Sequence, residues 1–523
     1  MKLNLLLFVI LFWYSNSSTA QIEQIDVLHY KIDLRVDDIT DTINVSETIY
    51  FSHTDEKKPI VFNLKSLNKF GKGMRVSKTS MDSKAIEFLH KNDSLYLFVE
   101  PSTEDKKYEI DISFKGVPVD GLVIGENKFG NRTFFGDNWP NRAHNWFVCN
   151  DHLSDKASVE FIVHAPQQYT VVANGALVSV KKRKKIKTFH YSSMVPIPTK
   201  VMVVGIAEFS MDVSGIADGT LVQSFTYPEN KQEAGEDLSL APDILDFYTA
   251  YIAPYEFEKL DNVQSTTRFG GMENAGCIFY DEDALNGTKS AENLIAHEIV
   301  HQWFGNSATE KDWPHLWLSE GFATYLTNIY IEKTKGDLAF KAQLEQDRKK
   351  VVNFDKRYHH PVVDIDHQSL MDLLNPNSYQ KGGWVLHMLR AEIGDDLFQE
   401  CIQTYYQKYK RSNANSKDFQ HVVETVCDGD FSTFFNQWLY RAGHPKLQIK
   451  SSFENRRLSL EINQKEEIFN FPLKVEIKCT EGPTIHRKMQ VSQENTKKDI
   501  VTSYPITEVI IDPEVELLFE LVK

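Results

Sequence analysis

Two histidines and a later glutamate constrain the fold of this chain more than any other feature. The histidines frame the segment His297-Glu298-Ile299-Val300-His301, and Glu320 follows the second histidine after eighteen residues. Side chains four residues apart on a helix share one face, so both imidazoles can reach one ion while Glu298 projects beside it. Glu320 lies near the start of a second apolar segment, whose residue pattern predicts a helix. We therefore expect two helices that pack together and present these side chains to a common point.

The residue types at this point indicate a catalytic metal. Two histidines and one carboxylate are a common ligand set of catalytic zinc, which keeps a fourth position open, whereas structural zinc usually has four protein ligands and is rich in cysteine. We predict one Zn²⁺ per chain, bound by His297, His301 and Glu320. Glu298 then serves as the general base. Cobalt or manganese could occupy the same atoms, and two satisfied core histidines are the alternative without a metal.

The hydrophobic pattern divides the chain into three regions. Its 523 residues, 41% hydrophobic and 25% charged, are enough for several packed domains. Alternating apolar residues in 21–212 predict an antiparallel β domain, longer helical periods in 213–443 predict a mainly helical domain, and renewed alternation in 444–523 predicts a small β-sandwich. The fold class expected is multidomain α+β. Within the helical domain, 292–304 and 316–332 are predicted helices.

The first twenty residues have the features of a leader peptide. Lys2 precedes an apolar run, and the segment ends in small residues, Ser18-Thr19-Ala20. This pattern predicts a secretory signal peptide over 1–20 and an exported protein, periplasmic or extracellular. An uncleaved membrane anchor is the alternative. We expect no stable membrane anchor once the signal has been cleaved.

The net charge of the chain argues against one class of partner. A formal net charge of -15 argues against nonspecific nucleic-acid binding. The one basic run, Lys181-Lys182-Arg183-Lys184-Lys185, stands between two strand-like segments and predicts a solvated hairpin tip rather than an anion site. The sequence leaves open whether the chain forms a homo-oligomer.

Three motifs occur in a characteristic order. They are Gly270-Gly271-Met272-Glu273-Asn274, then His297-Glu298-Ile299-Val300-His301 with Glu320, and last Tyr379-Gln380-Lys381-Gly382. In this combination the chain resembles the M1 family of zinc aminopeptidases, in the gluzincin clan, whose catalytic domain is thermolysin-like. The resemblance extends from the β domain to the final sandwich.

The resemblance implies roles for further residues. Glu273 would bind the free α-ammonium group of a peptide, because a carboxylate in a confined site selects for that charge. Gly270, Gly271, Met272 and Asn274 complete this substrate-binding loop, where the glycines leave room for a peptide backbone. Tyr379 would stabilise the oxyanion that forms when water attacks the peptide carbonyl.

Two departures from the family pattern affect these expectations. Relatives usually place Gln or Glu in the β domain as a second partner for the substrate amine, but an ungapped count back from Cys149 puts Trp139 there. Asp137 is the nearest acid and the predicted substitute; a turn aspartate is the alternative reading. The second departure is length, since many relatives carry a further helical domain after the sandwich. We expect a short form whose cleft is either more open or closed by a partner subunit.

These features predict a zinc-dependent aminopeptidase that acts on peptides with a free N-terminus. A zinc endopeptidase with a similar two-helix site is the nearest alternative, and Glu273 argues against it. A non-catalytic binding protein is disfavoured because no ligand, base or tyrosine of the three motifs has been lost. Epoxide hydrolysis, known in one branch of the family, is neither supported nor excluded by the zinc site.

Overall fold

The computed structural model describes residues 25–53, 59–99 and 107–523. The predicted signal peptide, 1–20, lies outside these residues. In the part of the chain that is described, no helix is both long enough and apolar enough to cross a membrane.

Strands dominate both ends of the described chain. Their bounds are β1 Ile25–Arg35, β2 Ile43–His53, β3 Ile60–Asn63, β4 Gly73–Met81, β5 Lys84–Ala85, β6 Glu87–Lys91, β7 Ser94–Phe98, β8 Lys107–Val117, β9 Leu122–Glu126, β10 Arg132–Gly136, β11 Lys156–Pro166, β12 Thr170–Ala173, β13 Ala176–Arg183, β14 Ile186–Pro198, β15 Val204–Ala207, β16 Ser210–Ala217, β17 Thr220–Thr226, β18 Leu260–Ser265, β19 Gly271–Met272, β20 Cys277–Asp281, β21 Ala308–Glu310, β22 Ser412–Ala414, β23 Lys446–Glu454, β24 Arg457–Lys465, β25 Phe471–Cys479, β26 Ile485–Val491, β27 Asn495–Val501, β28 Ile506–Ile511 and β29 Glu520–Leu521.

Helices occupy the middle of the chain. The α-helices are α1 Lys231–Leu238, α2 Ala241–Tyr251, α3 Glu292–Val300, α4 Trp317–Lys335, α5 Asp337–Asp355, α6 Gly382–Ile393, α7 Asp395–Tyr409, α8 Ser416–Cys427 and α9 Ser432–Leu439. Short 3₁₀ segments are Ala143–Asn145, Thr199–Val201, Pro228–Asn230, Trp313–His315 and Leu370–Leu373, and Asn377–Lys381 is a π-helical turn. This order confirms a mixed α+β protein with a β-rich N-terminal region followed by a helical region.

The described residues form two compact units. The first comprises the described residues up to Pro242 together with Glu256–Ala291, and the second comprises Asp243–Tyr255 and Glu292–Lys523. The candidate metal ligands belong to the second unit, whereas Asp137 and the Gly270-to-Asn274 segment belong to the first.

The described residues of the first unit form four sheets. Their strand orders are β13-β14-β11-β1-β2-β8-β4-β5, β3-β7-β6, β12-β15-β10-β9 and β16-β17-β18-β20-β19. Most neighbouring strands are antiparallel, as expected, but β1 pairs in parallel with β11, with Tyr30 opposite Val159. Strands β17, β18 and β20 are also mutually parallel. Alternation in sequence reports which face of a strand is buried and does not report the direction of its partner, so these parallel pairs were not predictable from it.

The second unit combines most of α2 and all of α3 to α9 with two C-terminal sheets. Their orders are β27-β24-β23-β29 and β26-β25-β28. The alternating apolar residues of β24 and β25 are buried, so each strand presents one apolar face to a core; they are Leu458, Leu460, Ile462, Leu473, Val475 and Ile477. The short strands β21 and β22 pair in parallel.

A buried carboxyl group in the first unit predicts a pH-dependent stability. Asp155 is 7% exposed, its Oδ1 accepts the Val27 N–H at 3.0 Å, and burial raises its pKa to about 8. Between about pH 4 and pH 8 the unfolded carboxyl is charged while the folded one holds a proton, so stability falls as pH rises through this window. An asparagine at this position would be neutral in both states. We therefore expect Asp155→Asn to raise the free energy of unfolding by about 1–3 kcal/mol at pH 8 and by little at pH 4.5.

Thermal or urea unfolding at the two pH values measures this difference. Asp218→Asn, at an exposed hairpin position with φ +45°, is the matched control and should show no such pH-dependent gain. A destabilised Asp155→Asn protein at pH 8 would contradict the prediction.

Candidate functional site

The second unit brings the three predicted metal ligands together. The Nε2 atoms of His297 and His301 are 3.1 Å apart, and Glu320 Oε2 lies 3.4 and 3.3 Å from them respectively. One ligand atom from each residue lies within 4.8 Å of the others, and no other such His/Cys/Asp/Glu group occurs among the described residues. A tetrahedral zinc with ligand distances of about 2.0–2.2 Å requires its ligand atoms to be about 3.4 Å apart. The observed separations therefore fit this metal.

The surroundings of His301 select the nitrogen that faces the cluster. Its Nδ1 lies 3.0 Å from the Phe304 carbonyl and 3.2 Å from Ser319 Oγ. A proton on Nδ1 can be donated to the carbonyl, which leaves the Nε2 lone pair directed at the other two ligands. Ser319 immediately precedes Glu320, so α4 supplies both a ligand and a partner that orients the ring.

Electrostatics hold the ligands in the protonation states that bind a metal. Burial lowers the pKa of His297, although Glu320 opposes this shift. Burial alone would raise the pKa of Glu320, but the adjacent His301 and His297 outweigh it and hold that pKa well below its usual range. A neutral imidazole and an ionised carboxylate are the forms that coordinate zinc.

The local backbone differs from the predicted helix in one respect. Helix α3 ends at Val300, so His301 lies just beyond it and the predicted helix 292–304 is too long. The His301 N–H still bonds to the His297 carbonyl at 3.4 Å, which preserves the helical spacing of the two rings. The chain then turns at Gly305, where φ is +121° and an added Cβ would lie 2.4 Å from Ser319 Oγ. Tertiary packing against α4 thus ends the helix early.

Glu298 and Tyr379 are both in the second unit with the ligands. Glu298 is 5% exposed and lies on α3 between the two histidines. The ring of Tyr379 stacks on that of His297, with centroids 6.1 Å apart and planes inclined by 12°. The predicted base and the predicted oxyanion stabiliser therefore accompany the metal ligands.

Two other histidines of this unit have packing roles. His315 Nδ1 lies 2.8 Å from Ser416 Oγ, while His387 uses one ring nitrogen at Tyr325 Oη and the other at the Val515 carbonyl, both at 2.9 Å. Burial lowers the pKa of His387 to about 3. Neither histidine belongs to the metal cluster.

The predicted substrate-binding loop lies at a sheet edge in the first unit. Gly271 and Met272 form β19, the last strand of the five-stranded sheet, and they pair with Tyr280 and Phe279 of β20. Glu273 follows at 4% exposure, and the Asn274 carbonyl accepts the Cys277 N–H at 3.0 Å. The carbonyl of Gly270, in the preceding turn, accepts the Asp281 N–H at 3.0 Å. The loop is thus held by backbone bonds on one side of its strand.

Asp137 takes part in a network of two carboxylates and two guanidinium groups. Its carboxylate contacts Arg142 and lies 3.3 Å from Arg268 Nε, and Asp120 contacts the same two arginines at 3.1 and 2.8 Å. Burial raises the pKa of Asp137, against the effect of both arginines. A substrate ammonium group at Asp137 would have to compete with these arginines. Its role in amine binding stays a prediction that this geometry does not favour.

Arg268 is the residue of this neighbourhood that the sequence interpretation missed. It lies two residues before Gly270 and connects the loop segment to Asp120 and Asp137, while Phe269 makes an edge-to-face contact with Trp139. The one sequence signal for Arg268 was its position just before the Gly270-to-Asn274 motif. The sequence could not reveal its ion-pair partners, which lie more than 100 residues earlier in the chain.

Comparison with protein families assigns both regions to one group. The model "Peptidase M1 N-terminal domain" matches residues 27–201, and "Peptidase family M1 domain" matches residues 237–438. The chain belongs to peptidase family M1. The second match contains the three ligands, Glu298, Glu273 and Tyr379, and the resemblance inferred from the motifs is thereby confirmed.

Individual M1 relatives are distant and longer. The chain is 28% identical over 336 residues to Aminopeptidase M1-C of Oryza sativa subsp. japonica, a match that covers 62% of this chain and 38% of that protein. It is 25% identical over 433 residues to Leucyl aminopeptidase of Saccharolobus solfataricus, covering 77% and 54%. Aminopeptidase M1 of Arabidopsis thaliana is 25% identical over 336 residues, covering 62% and 38%. The M1 chain therefore spans about half or less of the length of these relatives.

Proposed function

We propose that this M1 chain is a zinc-dependent aminopeptidase that removes single residues from the N-termini of peptides. The observation that carries the proposal is the convergence of His297, His301 and Glu320, with ligand-atom separations of 3.1–3.4 Å. Membership of family M1 and the names of the relatives, all aminopeptidases, support it. Bound at these three side chains, zinc would supply Lewis-acid polarisation of the scissile carbonyl and a lowered pKa for the attacking water.

The remaining chemistry is assigned to the chain's own side chains. Glu298 accepts a proton from the attacking water and returns it to the amine that leaves. The Tyr379 hydroxyl donates a hydrogen bond to the oxygen on which negative charge develops. Glu273 binds the α-ammonium group of the substrate and so restricts cleavage to the first peptide bond. Gly270, Gly271, Met272 and Asn274 form the loop on which that carboxylate is presented.

We also propose the folds of the helical and C-terminal regions, the export of the enzyme and its partners. The helical region is thermolysin-like, and the two C-terminal sheets, each with a buried apolar face, form a β-sandwich. The apolar run near the N-terminus supports export through a signal peptide over 1–20. Peptides with a free N-terminus are the proposed partners, and the net charge of -15 speaks against nucleic acid.

A panel of aminoacyl chromogenic amides tests the proposed function. Leucine amide is the first probe, because one relative is named a leucyl aminopeptidase. We expect hydrolysis that a chelator abolishes and added zinc restores, since the three ligands carry the metal. N-acetylation of the same substrate should abolish cleavage, because it removes the charge that Glu273 would bind.

The N-acetylated substrate also distinguishes an aminopeptidase from a zinc endopeptidase, the nearest alternative. Hydrolysis of the acetylated substrate at a rate similar to that of the free amine would replace the aminopeptidase by an endopeptidase. Hydrolysis that survives complete removal of metal would exclude the proposed mechanism altogether.

A further inference from the structure

Tyr379 lies in a backbone conformation that proteins rarely use. Residues Asn377–Lys381 form a single π-helical turn, in which the Lys381 N–H bonds to the Pro376 carbonyl at 2.8 Å and the Gly382 N–H bonds to the Asn377 carbonyl. Such a turn is wider than an α-helical turn and occurs mostly where a function requires it. Helix α6 begins directly after it, at Gly382.

The first residue of this turn is anchored to a separate segment of the second unit. Asn377 is 3% exposed, and its side-chain amide donates to the His360 carbonyl at 2.8 Å and to the Pro361 carbonyl at 3.4 Å. Its own N–H donates to the Asn375 side chain at 2.7 Å. Because buried amides are costly unless they are bonded, these contacts hold the start of the turn in one place.

The last residue of the turn is a buried lysine. Lys381 is 1% exposed, and its Nζ lies 3.5 Å from the Arg441 carbonyl. Burial lowers its pKa to about 8, although Asp355 and Glu467 oppose this shift. A lysine is seldom buried so completely without a partner or a function. This contact links the end of the turn to the segment around Arg441, sixty residues further along the chain.

Two glycines, one in α4 and one at the end of the turn, bring the turn into close contact with the helix that carries Glu320. A Cβ on Gly321 would lie 2.9 Å from the Gly382 carbonyl carbon and 3.2 Å from the Ser378 carbonyl oxygen. A Cβ on Gly382 would lie 3.1 Å from Gly321 Cα. Gly321 directly follows the predicted ligand Glu320. The backbone of the turn therefore touches α4 within one residue of the metal cluster, and no larger side chain fits there.

We propose that Asn377, Lys381 and the Gly321–Gly382 contact are positioning elements, which hold the π-helical turn so that Tyr379 lies over His297. This inference rests on the proposed role of Tyr379 as oxyanion stabiliser. A phenol contributes only where its hydroxyl meets the developing charge within a few tenths of an ångström. The side chains of Asn377 and Lys381 act through Tyr379 and do not themselves contact the substrate.

A double-mutant cycle separates this role from simple stabilisation of the fold. Tyr379→Phe alone is expected to lower kcat by about 10²–10³-fold. Lys381→Met alone is expected to lower kcat by about 10–100-fold with KM changed less than about threefold, since substrate binding lies elsewhere. In the Tyr379→Phe background, Lys381→Met should cost less than about threefold more, because the group it positions is already lost. Equal losses in both backgrounds would overturn the proposal.

Control variants and a structural readout complete the test. Lys187→Met is matched, because Lys187 Nζ also bonds to a backbone carbonyl, that of Tyr169 at 3.1 Å, within the β-rich first unit; it should leave kcat unchanged. If Lys381→Met does not fold, Gly382→Ala replaces it. Zinc content should equal that of the wild type in the Tyr379, Lys381 and Lys187 variants. In Gly382→Ala it is measured to distinguish a displaced tyrosine from a displaced Glu320, because the added Cβ presses on Gly321.

A crystal structure of the variant decides the question even if the proposed function fails. Separation of the Tyr379 and His297 rings beyond the 6.1 Å stack supports the positioning role. A ring that stays in place in the Lys381→Met and Gly382→Ala proteins overturns it. A wild-type protein without peptidase activity would refute the proposed function alone, because the ring positions are measured independently.

Discussion

Replacing Glu298 with glutamine is expected to lower kcat for aminoacyl amide hydrolysis by about 10²–10⁴-fold. Glutamine has nearly the same size as glutamate, and the site on α3 is 5% exposed, so the helix should accept it. An amide cannot accept the proton of the attacking water, whereas the carboxylate can. The zinc content should stay at one per chain, because none of the three ligands is changed.

Glu292→Gln is the matched control for this substitution. Glu292 lies on the same helix, six residues earlier, where it pairs with Lys335 Nζ at 2.7 Å and accepts from Tyr330 Oη at 2.9 Å. That variant should keep its kcat. Steady-state kinetics and metal analysis on both proteins test the prediction. A Glu298→Gln enzyme that retains more than about a tenth of the wild-type kcat would be incompatible with general-base catalysis by this residue.

Replacing Glu320 with alanine is expected to remove the metal. The substitution leaves two imidazole nitrogens 3.1 Å apart without the carboxylate that lies 3.3–3.4 Å from each. Changes in residues that merely support a ligand already cost about 10–100-fold in metal affinity, so loss of a ligand should cost more than about 100-fold. After dialysis against a weak chelator, zinc content should fall to less than about a tenth per chain, and hydrolysis should fall in parallel.

Glu345→Ala provides the comparison for Glu320→Ala. Glu345 is a half-exposed glutamate on α5, paired with Arg348 at 2.8 Å. This variant should retain one zinc per chain and full activity. Excess zinc should restore part of the activity of Glu320→Ala. If Glu320→Ala kept stoichiometric zinc through dialysis, Glu320 would not be the third ligand.

The helical elements at the metal cluster were largely predictable. The four-residue spacing of His297 and His301 predicted a helix, and the apolar segment around Glu320 predicted another, because helical periodicity places such side chains on one face. The structure contains both helices, as α3 and α4. The hairpin expected at the basic run is also present, with Lys184 and Lys185 between β13 and β14.

Other features depended on contacts that local sequence does not encode. Helix α3 stops at Val300 because the chain must turn at Gly305 against Ser319. The π-helical turn around Tyr379 begins and ends at residues, Asn377 and Lys381, whose side chains bond to carbonyl groups of distant segments. The network around Asp137 includes Arg268, which is more than 130 residues away in sequence.

By itself, the sequence determined the chemistry of the site: which side chains can coordinate a metal, which can carry a proton, and which family they resemble. These properties follow from residue type and helical spacing, both of which are local. Only the tertiary structure decided that His297, His301 and Glu320 converge to 3.1–3.4 Å and that the Tyr379 ring stacks on His297. Convergence of separate segments depends on close packing at positions such as Gly305, which lies against Ser319 of α4, and Gly321, which lies against Gly382 at the end of the Tyr379 turn. At these positions the absence of a side chain permits the close approach.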